Sequence, residues 1–90
     1  MQSYIYKSNK KAELYLYLLN RDDFSVLPEA LLQSLGALEF VMSLELSPER
    51  KLAREDVTKV MQSLQNKGFF VQMPPTLVSL LYAENNQQMH

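Results

Sequence analysis

Two adjacent carboxylates, Asp22 and Asp23, are the side chains in this sequence whose spacing most suggests chemistry. Paired carboxylates on a loop can bind a divalent cation or share a proton. A Mg²⁺-dependent hydrolase would need a third ligand, which only folding could bring from Glu29 or Asp56. We favour the simpler interpretation that the pair caps local N–H groups ahead of a helix, because aspartate is common at such positions.

Basic residues form a second candidate site, because clustered cations bind anions. One group lies near the N-terminus and the other in the middle of the chain: Lys7, Lys10 and Lys11, and Arg50, Lys51 and Arg54. If the first turn and the loop before the long predicted helix lie close together, these groups form one patch for phosphate, a nucleotide or an RNA backbone, reinforced by the N-terminus of that helix. We favour a solvated surface neutralised by Asp22, Asp23 and Glu49 in exposed ion pairs of little energetic value.

Aromatic residues form a third candidate, because exposed rings beside lysines can stack on nucleic-acid bases. Four tyrosines fall on two predicted neighbouring strands, where they could form one aromatic face: Tyr4, Tyr6, Tyr15 and Tyr17. We favour burial of these rings beneath a helix, with each hydroxyl bound to a polar partner. The lone amide of Gln72 is expected to face solvent or a neighbouring backbone group.

Composition removes most other chemistry. The 90-residue chain contains no cysteine, and its single histidine is His90, which excludes a disulfide framework, a thiol nucleophile and most His-based catalysis. Nine basic and ten acidic residues give a net charge of −1, without the positive excess typical of nucleic-acid-binding proteins. The two glycines, Gly36 and Gly68, are too few for a phosphate-binding loop.

Chain length predicts one domain, over residues 1–84, followed by a polar tail over residues 85–90. The longest apolar run, residues 14–19, is much shorter than the roughly 20 residues of a membrane span. The first residues lack the basic and then apolar pattern of a signal peptide. We therefore expect a cytoplasmic location and no membrane association.

Apolar patterning predicts four strands. Residues 3–7 and 13–19 are expected to form a hairpin, and the second segment is apolar on both faces, which is typical of a strand inside a covered sheet. Residues 38–46 alternate between an apolar face and a wetter face: Leu38, Phe40, Met42, Leu44 and Leu46 against Glu39, Val41, Ser43 and Glu45. This alternation predicts an edge strand whose glutamates discourage edge-to-edge pairing. Residues 69–73 form the fourth predicted strand.

Three helices are predicted between and after the strands. Residues 29–35 follow Pro28 and stop at Gly36. The second helix carries an apolar stripe at helical spacing, formed by Val57, Val60, Met61 and Leu64. The third begins at Thr76 and carries Leu77, Leu80 and Leu81 on one face. The order β-β-α-β-α-β-α predicts an α+β fold, a three-layer α/β/α sandwich around a four-stranded antiparallel or mixed sheet.

An ordered set of short segments resembles the YcgL-type domain of gamma-proteobacteria. The first half of the chain contributes Tyr6-Lys7-Ser8, Tyr15-Leu16-Tyr17, Asp22-Asp23-Phe24-Ser25 and Pro28-Glu29. The second half contributes Arg50-Lys51-Leu52-Ala53, Asp56-Val57, Val60, Gly68, Gln72 and Pro74-Pro75. The resemblance implies a small α/β/α sandwich around a four-stranded sheet, and it carries no biochemical activity over to this chain.

The sequence therefore predicts a non-catalytic module, without a cofactor, that binds a protein or an anionic ligand. This prediction rests on the lack of a nucleophile–base pair, of metal-ligand spacing and of a glycine-rich loop in the sequence. RNA or nucleotide binding through the basic residues is the alternative. A Mg²⁺-dependent hydrolase using Asp22, Asp23 and Asp56 is the remaining hypothesis.

Overall fold

A computed structural model describes residues 1–52 and 55–74 of the chain. These residues form an α+β fold with four strands, two α-helices and a short 3₁₀ helix over Phe24–Val26. The elements are β1 (Gln2–Ser8), β2 (Tyr15–Leu18), α1 (Glu29–Leu35), β3 (Leu38–Glu45), α2 (Val57–Lys67) and β4 (Phe69–Gln72). The helix predicted from Thr76 and the tail predicted over residues 85–90 lie outside the described residues.

The sheet is antiparallel throughout, with the strand order β3-β1-β2-β4. Strands β1 and β2 form the predicted hairpin, and β2 lies between β1 and β4, which confirms its predicted interior position. It is shorter than predicted because Glu13 has a φ of 61°, in the left-handed region that a strand cannot use. Leu16 and Tyr17 are both buried, so this strand is covered on both of its faces.

Two hydrophobic clusters lie on opposite faces of the sheet, because successive strand residues point to opposite sides. We name the faces after two residues of β1, Ile5 and Tyr6. The buried cluster of the Ile5 face comprises Ile5, Tyr17, Leu46, Val57, Val60 and Leu64, of which the last three belong to α2. The buried cluster of the Tyr6 face comprises Tyr6, Leu14, Leu16, Leu18, Leu27 and Leu35, of which Leu35 belongs to α1.

Helix α1 has the predicted bounds. It begins after Pro28 and ends at Gly36, whose φ of 67° and ψ of −150° are hardly accessible to other residues. Two turns are too few for a stable isolated helix, so its place depends on packing of Leu31, Leu32 and Leu35 in the Tyr6-face cluster.

Helix α2 also follows the predicted stripe, with Val57, Val60 and Leu64 buried. Asp56 caps its N-terminus by accepting a hydrogen bond of 2.9 Å from the N–H of Thr58. Gly68 ends it in the left-handed conformation. The hydrophobic stripe and the closing glycine were visible in the sequence, whereas the capping role of Asp56 was not predicted.

Strand β3 contains a β-bulge that the sequence pattern did not predict. Ile5 of β1 lies opposite Met42, but the next residue, Tyr6, lies opposite Phe40. Val41 is therefore an extra residue on β3, and it interrupts the alternation of side chains.

The predicted single apolar face of β3 is wrong because of this bulge. Leu38 packs in the cluster of the Tyr6 face, whereas Leu44 and Leu46 pack in the cluster of the Ile5 face. The two halves of the strand thus present their apolar residues to opposite sides. The position of β3 at the edge of the sheet is as predicted.

Candidate functional site

The Asp22 loop is anchored to the sheet by Tyr6. The Tyr6 hydroxyl donates a hydrogen bond of 2.7 Å to Oδ1 of Asp22 and accepts one of 2.8 Å from the backbone N–H of the same residue. Asp22 adopts a φ of 61°, a left-handed conformation that aspartate tolerates better than most residues. The carboxylate therefore helps to hold the turn between β2 and the 3₁₀ helix.

Aromatic and cationic side chains surround this hydrogen bond. The ring of Tyr6 makes edge-to-face contacts with Phe24 and Phe40, at centroid distances of 5.1 and 5.5 Å. The guanidinium of Arg21 lies 4.2 Å from the centroid of Phe40, a cation–π geometry. Nε of Arg21 is also 4.0 Å from Oδ2 of Asp22. Phe40 is thereby linked to the loop as well as to the sheet.

The hydroxyl of Tyr6 is electrostatically perturbed. Burial raises the pKa of Tyr6 above its ordinary value of 10.0, and the hydrogen bond from its hydroxyl to the Asp22 carboxylate raises it further. The phenol therefore stays protonated at neutral pH, and its proton lies in the hydrogen bond between the hydroxyl oxygen and Oδ1 of Asp22. This arrangement is suited to holding a loop in place.

The three carboxylates considered for a metal site are not brought together. Asp22 is bonded to a side chain of the Tyr6 face, whereas Asp56 begins the helix that packs in the Ile5-face cluster. Asp23 accepts a hydrogen bond from the hydroxyl of Ser25, two residues further along its own loop. Within residues 1–52 and 55–74, no group of three or more His, Cys, Asp or Glu residues could hold a metal ion.

The basic residues lie in two segments of the chain. Lys10 and Lys11 follow β1 at its Ser8 end, whereas Arg50 and Lys51 lie in the connection between β3 and α2. Arg54 lies outside the described residues. The single patch considered from the sequence therefore stays a prediction.

Local contacts explain part of the first basic group. Nζ of Lys7 lies 3.6 Å from Oε2 of Glu39 on β3, and Nζ of Lys11 lies 3.0 Å from the hydroxyl oxygen of Ser34 in α1. The buried hydroxyl of Ser8 accepts hydrogen bonds from the backbone N–H groups of Lys10 and Lys11. It also donates one of 2.6 Å to the carbonyl oxygen of Leu35, near the end of α1. These lysines therefore belong to a turn built against α1.

The four tyrosines do not form one aromatic face. Tyr4 and Tyr6 belong with the Tyr6-face cluster, whereas Tyr15 and Tyr17 belong with the Ile5-face cluster. The antiparallel register explains the division, because Tyr6 lies opposite Leu16, and not opposite a second tyrosine. The hydroxyl of Tyr17 donates to Oε1 of Gln72 at 3.2 Å, a side-chain partner that the sequence did not indicate.

Three of the four large exposed hydrophobic residues in the described part of the chain lie on β3, and the fourth, Met73, follows β4 at the opposite edge of the sheet and is 62% exposed. The central residues of β3, Phe40, Val41 and Met42, are exposed to 36%, 45% and 44%. In the observed strand order, β3 has a neighbour on one side only, so its outer backbone groups face away from the sheet. We call Glu39–Glu45 with this apolar centre the β3 edge.

Sequence reasoning predicted the edge position of β3 but missed its exposed apolar centre, because it treated residues 38–46 as a regularly alternating strand. The available signal was Val41, a large apolar residue on the face predicted to be wet. The bulge at Val41 turns Phe40 and Met42 to opposite faces, where neither is covered fully. The described residues enclose no pocket, so this open edge is the main candidate surface for function.

Among the residues that the structure describes, no helix is both long and apolar enough to cross a bilayer.

Comparison with known proteins identifies the family of this chain. The family model of the YcgL domain matches residues 3–75. A YcgL domain-containing protein of Thioalkalivibrio sulfidiphilus is 51% identical over 75 residues, which cover 83% of this chain and 93% of the relative. One from Stenotrophomonas maltophilia is 47% identical over 81 residues, covering 90% and 94%, and one from Pseudomonas putida is 54% identical over 71 residues, covering 79% and 73%. The chain therefore belongs to the YcgL domain family.

Proposed function

We propose that this domain is a non-catalytic module that binds another protein along the β3 edge. The observation that carries the proposal is the run of three consecutive exposed hydrophobic residues, Phe40, Val41 and Met42, on the outer strand. An edge strand offers a row of backbone donors and acceptors, and exposed apolar side chains add area that association removes from water.

The position of these residues favours a protein partner over a small molecule. Phe40 is held by Tyr6 and Arg21, and the strand is held along its inner side by β1, so the surface is ordered before binding. Preorganisation lowers the entropy cost of association. An open edge without an enclosed pocket is suited to an extended polypeptide, which can form backbone hydrogen bonds along it.

Anionic-ligand binding, including RNA or nucleotide binding, receives less support from the geometry. Lys7 faces the carboxylate of Glu39, and the ammonium of Lys11 lies against the hydroxyl of Ser34 in α1. An RNA backbone would need one continuous positive surface to release several counterions together. We therefore assign the protein-binding role to the β3 edge and no ligand role to Lys10, Lys11, Arg50 or Lys51.

The non-catalytic assignment is part of the same proposal. It is supported by the partners of the acidic pair, since Asp22 is bonded to Tyr6 and Asp23 to Ser25. A hydrolase would need these carboxylates directed at a metal ion or a substrate. We also place the protein in the cytoplasm, on the basis of the sequence pattern alone.

We further infer a three-layer α/β/α arrangement. It is supported by the membership of the two clusters, since α1 contributes Leu35 to one and α2 contributes Val60 and Leu64 to the other. A sheet covered on both faces leaves its two edges, β3 and β4, as the accessible parts, which agrees with the function proposed for β3.

Site-specific photocrosslinking in cells tests the binding role. A photoreactive phenylalanine analogue replaces Val41, and a matched control variant carries it at Gln62, which is exposed on α2. We expect a covalent protein adduct from position 41 that is absent from position 62. The crosslinked protein, once purified, should bind the wild-type domain and should bind Val41→Asp about tenfold more weakly, the loss typical of an interface anchor.

Charge reversal provides a second control for this experiment. Lys10→Glu and Arg50→Glu lie in the two basic groups and should leave binding of the purified partner unchanged. Equal adducts from positions 41 and 62 would refute binding at the β3 edge. So would a partner whose affinity is unchanged by Val41→Asp and is lowered by the charge reversals.

A further inference from the structure

We infer that the β3 edge accepts an antiparallel strand from a different protein, with basic residues opposite Glu39 and Glu45 and apolar residues between them. This inference rests on the proposed protein-binding function and specifies the chemistry of the partner. It follows from three features of β3: the bulge at Val41, the exposed apolar centre and the glutamates at either end.

A second copy of the same chain is a poor match for this edge. Residues opposite each other in an antiparallel ladder share a face, but the bulge sets Phe40 and Met42 on opposite faces. Two copies of β3 paired over their whole length therefore set the two bulges against each other at the two-fold axis. The same register sets Glu39 opposite Leu44 and Leu38 opposite Glu45, so that each carboxylate meets an apolar residue.

Shifting the register does not remove the difficulty. In some registers the paired residues share a face and the two bulges do not lie opposite each other. In those registers only one half of each strand is paired. One of these places Glu39 opposite the same residue of the second copy, which is repulsive. The bulge and the glutamates together act against self-pairing, as expected for a managed sheet edge.

A regular strand fits the bulged strand, and β1 provides the example within the structure. Ile5 lies opposite Met42, Tyr6 opposite Phe40, and Lys7 opposite Glu39. Gln2 lies opposite Glu45, five positions before Lys7 (7 minus 2). A strand with this spacing on the outer side would meet the same side chains of β3 in the same order.

Charge selects the end residues of the partner strand. The side chains of Glu39 and Glu45 remain 59% and 66% exposed. Lys7 approaches Glu39 only to 3.6 Å, an exposed pair of little energetic value. Oε1 of Glu45 accepts a hydrogen bond of 2.9 Å from the N-terminal ammonium, so a basic partner residue would share this carboxylate with the N-terminus. A lysine or arginine opposite each glutamate gains a cross-strand ion pair, whereas an acidic residue there is repelled. The favoured segment is therefore apolar in its middle and basic at both ends.

Two capped synthetic peptides provide the test, Lys-Val-Thr-Ile-Val-Lys and its matched control Glu-Val-Thr-Ile-Val-Glu. Each is titrated into the ¹⁵N-labelled domain, and the dissociation constant is measured from backbone chemical shifts. We expect shifts centred on Leu38–Glu45 with the lysine peptide and about tenfold weaker binding of the glutamate peptide, as two cross-strand charge pairs change sign. Equal affinities, or shifts centred elsewhere, would overturn the inference.

A charge-swapped domain makes the test independent of the peptide's intrinsic strand propensity. In Glu39→Lys/Glu45→Lys the preference should reverse, so that the glutamate peptide binds more tightly than the lysine peptide. The exchange also removes the ion pairs of Glu39 with Lys7 and of Glu45 with the N-terminal ammonium, so the ¹⁵N spectrum of the variant is checked for an unchanged fold before the titration. An unchanged preference contradicts the inference.

The proposed function can survive a failure of this inference. A protein that crosslinks at position 41 and loses affinity with Val41→Asp would keep the binding role, even if neither peptide shows the charge preference. Concentration-dependent dimers of the unmodified domain, weakened by Val41→Asp, would instead assign the edge to a second copy and overturn the inference.

Discussion

Tyr6 connects the centre of the sheet to the loop that carries Asp22. Its ring is almost fully buried, at 2% exposure, yet its hydroxyl reaches the exposed carboxylate and the backbone N–H of one residue. Arg21 is next to Asp22 and lies over Phe40, the first residue of the apolar centre of the β3 edge. The loop held by this hydrogen bond therefore also contacts Phe40. One residue thus joins the core, the loop and the candidate surface.

Replacing Tyr6 with phenylalanine should destabilise the domain by about 1–2 kcal/mol, because a hydrogen bond to a charged group is lost and the cavity change is small. Urea unfolding at neutral pH measures the change in the free energy of unfolding. Tyr4→Phe is the matched control, since the Tyr4 hydroxyl makes no hydrogen bond with any residue that the structure describes. Equal losses in the two variants would contradict the role assigned to the Asp22 hydrogen bonds.

The same substitution should alter the alkaline limb of the pH–stability profile. The folded-state pKa of Tyr6 is raised above the ordinary value of 10.0, so the folded chain holds this proton more tightly than the unfolded chain. The resulting stabilisation is fully present below about pH 10 and is lost as the pH rises through the raised pKa. Wild type should therefore lose more stability than Tyr6→Phe over this range, and parallel profiles from urea unfolding would exclude the effect.

At the level of elements, the ends of the helices determine where the strands begin. Gly36 ends α1 two residues before β3, and Gly68 ends α2 immediately before β4. Both glycines have positive φ, but Gly36 combines it with a ψ of −150°, whereas Gly68 lies in the left-handed helical region. The two turns therefore tolerate side chains differently.

Gly36→Ala should cost more stability than Gly68→Ala. A methyl group at Gly36 enters a conformation used almost only by glycine, and it meets Cβ of Lys10 at 3.0 Å. We expect a loss of about 3 kcal/mol there and about 1–2 kcal/mol at Gly68, where the nearest atom is a Val26 methyl group at 3.1 Å. Chemical denaturation measures both values. Gly68→Asn is the control that should recover part of the loss, because asparagine accepts the left-handed conformation; the reverse order of the two losses would contradict this account.

Elements with a strong local pattern were predictable from the sequence. Helix α1 has the predicted bounds because proline before it and Gly36 after it act locally. The buried stripe of α2 follows helical spacing, and the interior position of β2 follows from large apolar side chains on both of its faces. These signals depend on neighbours within a few residues, which the sequence displays directly.

Features that depend on contacts between distant segments were not predictable. The bulge at Val41 has a single local signal, a large apolar residue on the face predicted to be wet, and only the opposing positions on β1 reveal the extra residue. The hydrogen bond between Tyr6 and Asp22 and the stacking of Arg21 on Phe40 likewise require knowledge of which segments meet. The sequence therefore indicated the acidic loop and the edge strand separately, without their connection.

For the whole molecule, the sheet separates two hydrophobic clusters that share strands but not side chains. Leu16 and Tyr17 are sequence neighbours on β2, yet they belong to different clusters. Truncating a side chain in one cluster therefore leaves the side-chain contacts within the other cluster in place. Stability of the whole is expected at about 5–13 kcal/mol, from roughly 0.05–0.15 kcal/mol per residue, so both clusters are needed.

Double-mutant cycles should show this separation as additivity. Val60→Ala and Leu16→Val truncate buried side chains on opposite faces, and their losses of unfolding free energy should add to within about 0.5 kcal/mol. Val60→Ala with Ile5→Val is the matched same-cluster pair and should show an interaction energy larger than that. All three truncations remain hydrophobic and small, so each protein should still fold and unfold cooperatively in urea. Stronger coupling across the sheet than within the cluster would contradict the three-layer arrangement, and with it the reason for regarding the outer edge of β3 as an accessible part of the sheet.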